Sequence, residues 1–208
     1  MPETPQEFFD RIAAAAAARP GGRLPVPADI TESEIFPFET GDLRVVAFDP
    51  PVVPEPARSG DPGGPPCGRC EQGEAGVIWS DERWLLMPIG DTDSLPFSAF
   101  LMPREHLDFG ELDAPLAAEL GPLLVAIERA AKALGDIGRV HLNIWGDGGS
   151  HLHVWILARP LGQLQLRGST LPDWSDVLPP VPAEQRAADQ RAVVDALVAS
   201  YGGRSHLD

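Results

Sequence analysis

The chain has 208 residues, 43% of them hydrophobic, which is enough for one domain of ordinary size with extensions and argues against a wholly disordered protein. Its formal charge of -15 excludes duplex nucleic acid and a polybasic membrane contact as expected partners, while leaving room for a small phosphorylated ligand held by backbone amides and one cation. The first twenty residues carry Glu3, Glu7 and Asp10 where a secretory signal would be basic, and no run reaches membrane-spanning length, so a cytoplasmic protein with two reduced cysteines is expected.

In chain order, residues 5 to 19 read as a helix with Phe8, Phe9 and Ile12 on one side, stopped by Pro20-Gly21-Gly22. "LRVVAF" (43 to 48) is a short strand candidate. Residues 50 to 66, "PPVVPEPARSGDPGGPP", read as a linker or extended arm. "GVIWSDERWLLMP" then reads as a β-hairpin turning at "SDER", and "FSAFLMP" as a strand ended by Pro103. From Asp113, a plausible N-cap, to Leu134 the apolar residues fall at helical spacing, with Pro122 as a candidate kink. "RVHLNIW" and "HLHVWILA" make a strand pair joined by "GDGGS"; residues 161 to 182 read as irregular and Ala183 to Tyr201 as a last helix. This order predicts an α+β fold, an antiparallel sheet with a long packed helix, divided as an amino-terminal segment (1 to 66), a core (67 to 160) and a carboxy-terminal extension (161 to 208).

Two features carry chemistry. On a strand, His151, His153 and Trp155 would share one face, and the glycine-rich "GDGGS" before them can converge its amides on an anion. Cys67 and Cys70, preceded by Pro65-Pro66 in a reduced compartment, favour a metal knuckle over a redox pair. Of the five histidines, His106 and His151 are the best partners for them, giving a Cys2His2 set that as a closed four-coordinate zinc site would be structural. Trp79, Trp84, Trp145 and Trp174 are expected in the core.

The order "CGRC", hairpin, "FSAFLMPREH", long helix and "HLNIWGDGGSHLHVWILARP" resembles the histidine triad superfamily over residues 67 to 160, a superfamily of nucleotide hydrolases and nucleotidylyl transferases that includes the galactose-1-phosphate uridylyltransferase branch. The resemblance implies that His153 is the nucleophile on an α-phosphorus, that Asn143 helps orient the site, and that Cys67, Cys70, His106 and His151 hold Zn2+. Substrate contacts are expected from Asp147, Gly148, Gly149, Ser150, Trp155 and Asp91, the last lying one position from an acidic ribose contact. Two departures stand out. Trp155 replaces the third histidine or glutamine, and an indole N–H cannot shuttle a proton, which tilts the expected chemistry toward phosphoanhydrides, whose phosphate leaving groups need little protonation. The glycine loop is also short and lacks the usual glutamine.

The expected function is therefore a nucleotide hydrolase or transferase acting on a small nucleotide-type substrate. The alternatives are a nucleotide-binding protein that has lost turnover, and a structural zinc domain that binds a protein partner. The resemblance also allows a homodimer through the long helix and central strands, a surface that the amino-terminal extension could cover instead.

Overall fold

The computed structural model describes residues 5–24, 47, 49–90 and 93–207. Two compact units divide it, Met1–Pro56 and Ala57–Asp208. In the first, helix α1 (Pro5–Ala17) runs into a 3-10 turn at Pro20–Gly22, and the strand expected at 43 to 48 lies outside the described residues except for Ala47.

The second unit is built on a six-stranded sheet of order β4-β5-β3-β2-β1-β6. Its strands are β1 (Trp79–Ser80), β2 (Trp84–Pro88), β3 (Phe97–Pro103), β4 (Ile137–Ile144), β5 (Val154–Pro160) and β6 (Arg204–Ser205), and every pairing is antiparallel. The helices are α2 (Gly68–Gln72), α3 (Ala114–Lys132), α4 (Leu171–Val177) and α5 (Ala183–Ser200). The α+β expectation holds. Among the described residues no helix is long and apolar enough to cross a membrane.

The β1–β2 turn closes as its sequence suggests, with Asp81 Oδ1 accepting from the amides of Arg83 and Trp84 at 2.8 and 2.7 Å. α3 starts at Asp113, whose Oδ1 accepts from Leu116 N at 2.8 Å, and it buries Leu116, Leu120, Leu123 and Ile127 along one stripe. Pro122 does not interrupt it: this residue is exposed, and so is Ala118, whose carbonyl a proline four residues on leaves without an amide. Leu123 and Ile127 are fully enclosed beneath the sheet, each contributing roughly 1.5–3 kcal/mol of apolar burial.

The carboxy-terminal segment does more than extend the core. Val193, Val194 and Leu197 of α5 are fully buried in the same cluster as α3, and β6 pairs with β1. On the opposite face of the sheet, Leu166 and Leu171 close over Leu95 and Leu157. The residues expected to be irregular thus include α4, and residues 161 to 207 lie in the same compact unit as residues 67 to 160. The reason is apolar area: the sheet between 79 and 160 has two faces to cover, and α3 covers only part of one. Of the tryptophans expected in the core, Trp79 and Trp84 are there, whereas Trp145, just beyond the edge strand β4, is 39% exposed.

Candidate functional site

β5 begins at Val154, later than its sequence pattern suggests, so His151 and His153 stand in the segment that enters the strand rather than within the ladder. They still serve two neighbouring places, as alternation predicts. His151 is buried and reaches the two cysteines; His153 faces the cavity beside them.

The metal-type cluster draws four side chains from three places in the fold. Cys67 caps α2 and Cys70 lies one turn on, His106 follows β3, and His151 precedes β5. Their ligand atoms all lie within 4.8 Å of one another. Cys67 Sγ and Cys70 Sγ are each 3.6 Å from His151 Nδ1, and Cys70 Sγ is 3.4 Å from His106 Nδ1. A tetrahedral cation with bonds of about 2.3 Å to sulfur and 2.0–2.1 Å to nitrogen has S···N edges of about 3.6 Å, so the four donors fit one.

The far sides of both rings are already committed. His151 Nε2 donates to Pro103 O at 2.9 Å, which leaves the Nδ1 lone pair aimed at the cluster. His106 Nε2 donates to Ser150 Oγ at 3.1 Å, and that hydroxyl donates in turn to Ser59 O at 3.3 Å. Burial pushes the His151 imidazole below its usual range, and burial followed by the neighbouring Cys67 pushes the Cys70 thiol up. A divalent cation would reverse the second effect by stabilising the thiolate.

The segment read as a linker or arm is, from Arg58 onward, part of this site. Ser59 bridges Gly149 in a parallel pair: Ser59 N donates to Gly148 O at 3.3 Å and Ser150 N to Ser59 O at 2.9 Å. Arg58 anchors the arm, pairing with Asp61 at 3.0 Å and Asp108 at 2.7 Å and donating to Gly146 O at 3.0 Å. Its hydrogen bonds hold the Asp61 carboxyl below the usual range. Gly60 follows at φ +93°, packed so closely that a Cβ there would sit 2.4 Å from His106 Cε1 and 2.8 Å from Ser150 Oγ. Proline and glycine richness signals only an irregular backbone, and hides the contacts that hold it.

His153 opens onto a cavity of about 450 Å³ whose walls include Gly148, Gly149, His151, Met87, Phe100 and Met102. Its Nδ1 donates to His151 O at 2.9 Å, which leaves the Nε2 lone pair available. The expected substrate contacts are placed unequally. Gly148 and Gly149 line the cavity, but the Ser150 amide is spent on Ser59 and its side chain is buried, because the arm pairs with that end of the loop. Asp147 is exposed, and neither it nor Asn143 is among the lining residues. Asn143 stands on β4 directly opposite Trp155. Trp155 packs edge-on against Phe100 with ring centroids 4.7 Å apart, and its enclosed indole N–H has no hydrogen-bond partner among the described residues. Asp91 lies outside the described residues. The apolar wall and Arg69, which also lines the cavity, escape motif reading; the alternation of Met87 and Phe100 with core residues along β2 and β3 was the available signal.

No protein-family model and no curated protein matches the sequence. Solved structures similar to the chain include a histidine triad protein of Bradyrhizobium japonicum (21% identity, 58% of this chain and 89% of that one, TM-score 0.48). Another is a histidine triad protein of Sinorhizobium meliloti 1021 (18% identity, 61% and 93%, TM-score 0.48). A third is described as a Zn-bound histidine triad family protein of Mycobacterium smegmatis (20% identity, 62% and 91%, TM-score 0.45). All three carry the name of the family that the sequence resembles.

Proposed function

We propose that this chain is a nucleotide phosphoanhydride hydrolase or nucleotidylyl transferase of the histidine triad kind, working through a covalent nucleotidyl-histidine on His153. The observation that carries the reading is the bond from His153 Nδ1–H to His151 O, which fixes the tautomer and presents Nε2 to the cavity lined by Gly148 and Gly149. In the first step Nε2 forms a bond to the α-phosphorus while the P–O bond to the leaving phosphate breaks, and that group departs with the electron pair. An O–H of water or of an acceptor then attacks phosphorus, the P–N bond breaks, its electron pair returns to Nε2, and the O–H proton passes to solvent. The amides of Gly148 and Gly149 stabilise charge on the phosphoryl oxygens.

Zinc is the cation proposed for the Cys67, Cys70, His106 and His151 cluster; with four protein ligands and no open position it would cross-link the site rather than activate water. Trp155, whose N–H neither donates nor shuttles, favours leaving groups that depart without a proton, namely phosphates and nucleoside phosphates. The same residue favours a second reading, a protein that binds nucleotides without turning them over. Incubation with dinucleoside polyphosphates, nucleotide sugars and adenylylated compounds separates the two. Turnover lost in His153→Ala supports the first reading, protection from heat without turnover supports the second, and neither response to any compound removes both.

A further inference from the structure

Arg69 sits inside the C-G-R-C stretch but supplies no atom to the metal-type cluster. It lines the cavity of His153, and among the described residues no carboxylate lines that cavity with it. Nη1 donates to Met87 Sδ at 3.1 Å, while Nη2 is enclosed and has no hydrogen-bond partner among the described residues. Among the described residues no carboxylate forms an ion pair with Arg69. A thioether is a weak acceptor for a charged donor, and a half-buried guanidinium without an anion is costly to hold. Met87 thus occupies the place of a better partner.

The position of that partner follows from the sheet. Met87 on β2 is opposite Phe100 on β3, and Phe100 is opposite Trp155 on β5, the strand that His153 enters. Two strand spacings, about 10 Å, separate the backbone under Met87 from that of β5, so Arg69, held at Met87, and His153 enter the cavity from strands that are not neighbours. We propose that Arg69 receives a second oxyanion of the ligand, displacing Met87 Sδ, so that the cavity is built for two linked phosphoryl groups rather than one. The inference rests on the reading of this cavity as a phosphate site and adds the group that counts its phosphates.

The test uses full-length, zinc-loaded protein titrated calorimetrically with inorganic phosphate, pyrophosphate, AMP and ADP. Pyrophosphate and ADP are expected to bind at least about 10-fold more tightly than phosphate and AMP, the worth of one charge-assisted hydrogen bond. Arg69→Gln should abolish that preference with zinc content unchanged. A second measurement needs no variant: an arginine-specific dicarbonyl reagent should modify Arg69 of the wild-type protein, with pyrophosphate protecting it and equimolar phosphate not. Absence of the preference in wild type, its survival in Arg69→Gln, or equal protection by both anions overturns the proposal. The two readings fail separately. An Arg69-dependent pyrophosphate preference without nucleotide binding removes the nucleotide reading and leaves Arg69 in place, whereas AMP and ADP binding equally to both proteins does the reverse.

Discussion

Gly60→Ala tests whether the arm belongs to the site. The added methyl would lie 2.4 Å from His106 Cε1, where ordinary contact begins at 3.4 Å, so about 1 Å must be recovered by movement of the ring or of the arm. Movement of the ring displaces a metal ligand by several times the roughly 0.2 Å that coordination distances tolerate. Movement of the arm gives up the Ser59 pairing with the glycine loop and the bond from Gly60 N to Pro65 O, at about 1 kcal/mol each. The left-handed φ of +93° costs an alanine a further 1–2 kcal/mol, roughly. The expected loss is about 2–4 kcal/mol, read as a fall in melting temperature of roughly 5–15 °C, with zinc affinity reduced about 10- to 100-fold in competition with a chromophoric chelator. Wild-type zinc affinity and melting temperature in Gly60→Ala would refute the reasoning and return residues 58 to 66 to the status of a linker.

Three further outcomes are expected. His153→Ala should abolish turnover with zinc content and melting temperature nearly unchanged, whereas His151→Ala should lose metal and stability together; elemental analysis, thermal melts and activity measured side by side decide this, and identical behaviour contradicts the division of labour. Leu197→Ala, fully buried on α5, should cost about 2–5 kcal/mol by chemical denaturation, whereas a dispensable extension would cost nearly nothing. His141 on β4 is held below its ordinary value of 6.5 by burial, then by Arg159 and Arg139, so the unfolded chain binds its proton first and stability is lost as pH falls below 6.5. Melting temperatures of His141→Gln should accordingly decline less than wild type over that range, and parallel curves would exclude the effect.

Much of this architecture is local, and local order can be read along a chain. Asp113 marks the start of α3 because its side chain bonds the amide of Leu116, the third residue of the helix, and the spacing from Leu116 to Ile127 describes one face of that helix alone. β3 occupies residues 97 to 103 as its apolar run suggests. The separation of Cys67 from Cys70 and the alternation of His151 with His153 are likewise properties of short segments, so the residue types of the metal-type cluster and of the proposed nucleophile were legible before any fold was known.

Other features depend on partners distant in sequence. Nothing in "ARSGDPGG" announces that Ser59 will take the Ser150 amide from the glycine loop, 91 residues away, or that Gly60 must be bare for His106 to approach. β6 is two residues long and acquires its identity only by pairing with β1, and α5 earns burial through three side chains that fit against α3 and the sheet. Arg69 illustrates the same limit: as part of C-x-x-C it is a spacer, and only the fold sets its guanidinium against the Met87 thioether in the wall of the cavity. By itself the sequence determined element types, caps and the donor atoms available for chemistry, because backbone propensity and side-chain period act within a few residues. The tertiary structure decided which donors are free, which are spent, and where the site ends, because hydrogen-bond satisfaction and packing are settled between segments that only folding brings together.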